Sequence, residues 1–235
     1  MGCCESREKT PQKSENSQDK NQTFREGLEN LEFVKNETLQ DKLRHIEELE
    51  TSSLWKLMFK QKNIEVYQIP SSKYSSEFPV ARTKVVFEGI IPFKKLVEKI
   101  NDPQKRLKWD KMFTQIEVLE GNPMHESILR SVVNSLGYKG EYLTKKNIGY
   151  YKDSVTIVEY SIEDPRFPLS KNCTRGNIHF AVTKVYCTEQ KTYLVFYNQV
   201  DPNTKLVKVY PNFISRSLKN WSINLSDSVN KDIKV

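Results

Sequence analysis

The sequence holds no apolar run near the roughly 18 residues that a membrane-crossing helix needs, so no helical span is expected. Eight Gly and ten Pro in 235 residues exclude a collagenous or low-complexity chain. Cysteine is scarce: an adjacent pair, Cys3 and Cys4, then Cys173 and Cys187 far downstream, with no Cys-x-x-Cys. Three scattered His (His45, His125, His179) complete no zinc set, so neither a metal nor a cofactor is expected. No secretory apolar segment opens the chain, which places the expected protein in the cytoplasm with reduced thiols, Cys173 and Cys187 being ordinary half-buried ones. A phosphate-cradling Gly-rich loop and a nucleophile elbow are both missing, and no catalytic residue is expected.

Aromatics are plentiful, with eleven Tyr, eleven Phe and three Trp, and 37% of residues are apolar, enough for one core. The net charge of +7 hides a division. Residues 1–50 hold 8 Lys/Arg and 12 Asp/Glu, net −4, whereas residues 51–235 hold 29 and 18, net +11. A basic body serves either plain solubility or an anionic partner, and the two usual ones are nucleic acid and a negatively charged membrane face. No Lys/Arg-Gly-aromatic core for stacking bases is found, so the expected partner is a membrane surface and not nucleic acid.

The opening Met1-Gly2-Cys3-Cys4-Glu5-Ser6 fits Met-Gly-x-x-x-Ser, the pattern for myristoylation of Gly2. Cys3 and Cys4 stand beside it for palmitoylation. One myristoyl chain gives only marginal membrane affinity, on the order of 10⁴ M⁻¹, and a second acyl chain makes attachment lasting. Residues 1–22, almost free of apolar side chains after the pair, read as a flexible acylated tail. Residues 23–50 follow as an amphipathic helix: Thr23 to Glu26 is a capping box, and Phe24, Leu28, Leu31, Leu39, Leu43, Ile46 and Leu49 keep helical spacing to about Leu49.

Residues 51–235 form the folded domain. Strands are predicted at 54–60, 64–69 and 80–88, then two short helices, 92–100 and one with Asp102 as N-cap and Pro103 at its first position. Six strands follow, at 114–120, 125–133, 141–151, 154–162, 176–187 and 192–200, with a turn at Lys152-Asp153 among those joining them. After Pro211 a last helix carries Ile214, Leu218, Trp221, Leu225 and Val229. This is an α+β domain whose nine antiparallel strands must curl, and a curled sheet of that width with a long helix across it either encloses a ligand-sized space or is plugged by Trp221 and its neighbours.

That order of elements resembles the START (steroidogenic acute regulatory protein-related lipid transfer) domain family, phosphatidylcholine-transfer-protein-like members in particular. The resemblance covers about residues 51–230. It rests on Arg106-Leu107-Lys108-Trp109-Asp110, similar to the family's Arg-x-x-Trp-Asp, and on Asp164-Pro165 with Pro168, Thr174-Arg175-Gly176, Tyr193 to Gln199 before Asp201-Pro202, and Pro211-Asn212, all in order. It implies a helix-grip fold: a curved sheet of about nine strands around a long C-terminal helix, enclosing one lipid.

Arg106 and Asp110 lie four apart on one helix face, where a guanidinium suits a phosphodiester and a carboxylate an ammonium. The resemblance offers this pair for a phospholipid head group, while spacing alone reads as an intrahelical ion pair. Tyr142 and Tyr197 are candidate pocket aromatics. Lys139-Gly140-Glu141-Tyr142 replaces the usual Arg-Asp-aromatic, and Leu129 stands about where choline binders carry Trp, which weighs against choline. In sterol-binding relatives a buried acid faces a base, a part open to Glu126 with Lys145 or Lys146; surface charge explains the same residues. Residues 134–140 are expected to form a lid loop beside the last helix, with Leu136, Tyr138, Leu218 and Trp221 at the mouth. The expected protein is a monomer at the cytoplasmic face of a membrane, attached through Gly2, Cys3 and Cys4. It binds one lipid, a phospholipid before a sterol or sphingolipid, and transfers or presents it; the rival reading is a tethered lipid sensor that transfers nothing.

Overall fold

The computed structural model describes residues 36–135, 138–203 and 210–233. In chain order these form α1 (Glu37–Glu50), β1 (Lys56–Gln61), β2 (Ile64–Ile69), β3 (Val80–Glu88), α2 (Phe93–Asn101) and α3 (Pro103–Trp109). Then come β4 (Phe113–Gly121), β5 (Glu126–Ser135), β6 (Tyr138–Tyr150), β7 (Ser154–Ser161), β8 (Thr174–Arg175), β9 (Asn177–Cys187), β10 (Lys191–Asp201) and α4 (Tyr210–Ile233).

Local chemistry sets the boundaries. Asn36 is extended and its side chain accepts the Leu39 amide, so α1 begins at Glu37; residues 23–35 of the expected helix, with its capping box, lie outside the described residues. Asp102 caps α3 by accepting the amides of Gln104 and Lys105, with Pro103 following it. Gly121 takes a φ of 78° where β4 turns toward β5, and a Cβ there would meet the Glu126 carbonyl oxygen at 2.2 Å, so only glycine fits.

One sheet contains every strand. Its order is β1-β2-β3-β10-β9-β7-β6-β5-β4, antiparallel throughout, and the two-residue β8, which the sequence pattern did not separate from β9, pairs parallel with β6. The β5–β6 register runs to Ser135 opposite Tyr138, so residues 134, 135 and 138–140 of the expected lid loop belong to paired strands. Leu136 lies outside the described residues, as do Gly2, Cys3 and Cys4.

The concave side of the sheet is closed by helices. α4 packs on β1, β2 and β3 and meets α3, which packs on β4, so the helical layer reaches from one sheet edge to the other. Gln68 donates to the Pro211 carbonyl and to Ser215 Oγ, both at 2.8 Å, tying β2 to α4. Trp109 donates to the Lys99 carbonyl at 2.9 Å, tying α3 to α2. The main core lies in this layer and includes Val85, Leu96, Val97, Ile157, Leu194, Leu218, Trp221 and Leu225. A second core on the convex side seats α1, through Leu39, Leu43, Ile46 and Leu49, on Val80, Val158, Phe180, Val182 and Val195. No described helix is long and apolar enough to cross a membrane.

Candidate functional site

Between the concave face and the helices lies a cavity of about 470 Å³, within the roughly 300–1,000 Å³ typical of small-molecule sites. Its wall is largely apolar: Ile157, Ile178, Val200 and Phe196 from the sheet, Phe213, Ile214, Leu218 and Trp221 from α4. Trp221 stacks on Phe196 with ring centroids 5.2 Å apart and meets Trp109 edge-on at 5.8 Å. It therefore forms a wall of the space and does not plug it. Lys111, Asn134 and Asn220 line the cavity and are exposed, which puts its mouth among the α3–β4 turn, the base of the β5–β6 hairpin and the middle of α4.

Polar groups converge on this apolar space. Arg106 Nε donates to Asp110 Oδ2 at 3.0 Å, while Asp110 Oδ1 accepts the Met112 amide at 3.2 Å, and both side chains line the cavity. The Arg106 guanidinium rests on the Phe113 ring, 4.5 Å from its centroid. On the sheet, Asn198 pairs with Ala181, Ala181 with Glu159, Glu159 with Lys146 and Lys146 with Ser127, giving one cross-strand row of polar residues broken only by a methyl group. Lys146 Nζ lies 3.5 Å from Glu159 Oε2, and the other carboxylate oxygen accepts the Thr144 hydroxyl at 2.9 Å.

Lys146 is 2% exposed, and burial pushes its ammonium below the ordinary lysine range. Burial pushes Glu159 the other way, but Lys146, Arg106 and the Thr144 hydroxyl outweigh it and hold its carboxyl below the usual range. The influence of Arg106 on both residues joins the α3 pair and the sheet pair into one quartet. In the cavity lining, the Asn101 amide oxygen and nitrogen and Asn198 Oδ1 are buried without a hydrogen-bond partner among the described residues. Buried polar atoms left so are costly, and in a cavity they mark where a ligand's polar atoms fit.

The expected site residues divide. Arg106, Asp110, Tyr142, Leu218 and Trp221 all line the cavity, and Lys146 stands behind Glu159 in the same wall. Tyr138 heads β6, beside the mouth hairpin. Tyr197 does not face the cavity: it is buried in the convex core and donates to Glu50 at 3.1 Å, because its strand neighbours Phe196 and Asn198 take the concave side. Glu126 also lies away from it, exposed and paired with Lys145 at 2.7 Å. Glu159, the acid that does face Lys146, was missed by the sequence reading. Its signal was the Lys152-Asp153 turn: a hairpin closed there sets Tyr150 opposite Val155, and by the same count Lys146 opposite Glu159.

Gly176 shapes the wall as well. A Cβ at this position would lie 2.4 Å from Tyr142 Cε1 and 3.1 Å from the Asp201 carbonyl oxygen, so the Tyr142 ring occupies the room that glycine leaves.

Comparison with known proteins gives a consistent result. A family model for the START domain matches residues 34–221. No curated protein sequence matches the chain. Among solved structures, human StAR-related lipid transfer protein 5 superposes with a TM-score of 0.70 at 18% identity, over 83% of this chain and 95% of its own. Human STARD10 does so with a TM-score of 0.70 at 16% identity, over 82% and 79%. The human StarD13 lipid transfer and protein localization domain gives 0.64 at 16%, over 83% and 97%. At these identities the superpositions speak to the fold alone.

Proposed function

The chain belongs to the START domain family, whose members bind and transfer lipids, and from that premise we propose that it carries one lipid in the cavity and transfers or presents it at a membrane holding its acylated N-terminus. The observation that carries this reading is the cavity: an apolar space of about 470 Å³ with a polar quartet in its wall, which suits an acyl or ring body with a polar head. Arg106 and Asp110 hold the head group, Lys146 and Glu159 complete its surroundings, and Tyr142 and Trp221 flank the apolar body. A phospholipid fits best, because a guanidinium backed by a carboxylate offers a phosphodiester and an ammonium a partner each.

The Gly2, Cys3 and Cys4 pattern supports the anchor, since two or more acyl chains make membrane residence lasting. The intervening residues 5–22, taken as a flexible chain, reach only about 20–25 Å root-mean-square. Such a tether serves a closely apposed membrane, and it also favours the second reading, a membrane-bound lipid sensor that transfers nothing. Vesicle-to-vesicle transfer of fluorescent phospholipid, with full-length chain and with Gly2→Ala, tests both. Transfer by either form supports the carrier, one-to-one loading without transfer supports the sensor, and Gly2→Ala protein still at the membrane in cells contradicts the anchor.

A further inference from the structure

The buried charges around the cavity sum to zero, a balance that bears on the lipid-carrying reading above and rests on it. Arg106, Asp110, Lys146 and Glu159 are its ionised groups among the described residues, apart from Lys111 exposed at the mouth. Each base has its own acid, Arg106 with Asp110 at 3.0 Å and Lys146 with Glu159 at 3.5 Å. The sum does not depend on where the shared proton of the Lys146–Glu159 pair resides: charged or neutral, that pair contributes nothing. Asp110 is 1% exposed and Lys146 2%, so water cannot screen a charge added beside them as it would at the surface. A singly anionic head group drawn inside finds no unmatched buried cation, Lys111 lying exposed at the mouth, and leaves the buried site one charge out of balance, which low-dielectric surroundings penalise heavily. A zwitterion brings an equal and opposite pair, exchanges partners with the quartet and keeps the sum at zero. An uncharged head needs only the unpartnered Asn101 amide and the Asn198 amide oxygen.

We propose that the cavity selects lipids whose head group bears no net charge and refuses singly anionic ones, with the Lys146–Glu159 pair as the determinant. Glu159 sets the balance because, without it, Lys146 becomes a buried cation with no acid opposite it across the β6–β7 ladder.

The test uses the full chain and vesicles containing phosphatidylcholine and phosphatidylglycerol in equal amounts in one bilayer, so that attraction of the basic protein to the surface is common to both. Bound lipid is extracted from the re-isolated protein and weighed by mass spectrometry. Wild type is expected to carry phosphatidylcholine over phosphatidylglycerol by on the order of tenfold. Glu159→Gln shifts that ratio toward phosphatidylglycerol by a similar factor, and Lys146→Met added to it brings the ratio back toward wild type. Should Glu159→Gln fail to fold, Asp110→Asn leaves Arg106 unmatched and must move the ratio the same way. Equal loading of both lipids by wild type, or a folded, lipid-loaded Glu159→Gln or Asp110→Asn protein with an unchanged ratio, overturns the selection while leaving lipid carriage intact. A wild-type chain that loads neither lipid overturns the carrier reading itself.

Discussion

The same strands make both faces of the sheet, and the two faces are finished differently. On the convex side α1 closes the surface, and its Lys42 and Glu50 find protein partners. Lys42, 8% exposed, donates to the His179 carbonyl at 2.7 Å with the rings of Tyr74 and Tyr160 beside it, and Glu50 takes Lys184 at 2.7 Å and the Tyr197 hydroxyl at 3.1 Å. On the concave side the helices stand off, leaving a hollow with a compensated quartet and several buried polar atoms unpartnered. Among the described residues, unpartnered buried atoms occur on both faces, His45 Nε2 and Thr156 Oγ1 on the convex one, but only those of Asn101 and Asn198 face a space that a ligand can fill.

Mutations on either side sharpen that contrast. The largest effect on stability is expected on the filled face: Ile46→Ala, at a position 0% exposed, should cost about 2–5 kcal/mol in chemical denaturation. Lipid loaded per folded molecule should stay at the wild-type level, and a loss of loading would mean the two faces are not independent. On the hollow face, Arg106→Ala with Asp110→Ala removes both charges together and so leaves no buried charge unmatched. Phospholipid loading should fall by on the order of a hundredfold, since buried charge-assisted contacts are worth about 2–5 kcal/mol to a ligand. Stability should fall only by about 1 kcal/mol, for the lost hydrogen bond to the Met112 amide. Unchanged loading would remove the head-group assignment.

Gly176→Ala tests the boundary of the hollow. The added methyl meets Tyr142 at 2.4 Å and must drive the ring into the cavity, costing about 1–3 kcal/mol and lowering loading. Adding Tyr142→Ala should relieve most of the strain, as a double-mutant cycle would read.

The smallest effect separates the faces by pH. His45 and His179, on the convex side, are held below the ordinary value of 6.5, chiefly by burial. Between their folded values and 6.5 the unfolded chain binds more protons, so acidification from neutral should erode stability there first, by at most about 1.4 kcal/mol per pH unit for each histidine. Glu159 is also held down, against an ordinary value of 4.5, so its contribution is present above 4.5 and is lost only as pH falls below that. His45→Gln should flatten the first slope and Glu159→Gln the second, as urea titrations at stepped pH would show.

The fold was legible because its strands are long and its breaks chemically marked. Val80–Glu88 alternates cleanly, Pro103 behind Asp102 announces α3, and apolar steps of three and four carry α4. Half of the site was legible for the same reason: Arg106 and Asp110 share a helix, where spacing alone gives the face. The other half depends on register. β7 is buried on both sides, so alternation assigns Glu159 to neither, and only counting from the Lys152-Asp153 turn brings it opposite Lys146. The same parity sends Tyr197 outward between two inward neighbours, and leaves Glu126 and Lys145 to pair with each other on the surface. Strand residues seen one strand at a time do not reveal which side is hollow.

The central claim is that the hollow holds a lipid, and native mass spectrometry of the full chain after exposure to vesicles of phospholipid, sterol and sphingolipid tests it most directly. A single added mass equal to one lipid per chain, lost with Arg106→Ala and Asp110→Ala together, is the predicted result. A chain that keeps only its bare polypeptide mass through all three would contradict it.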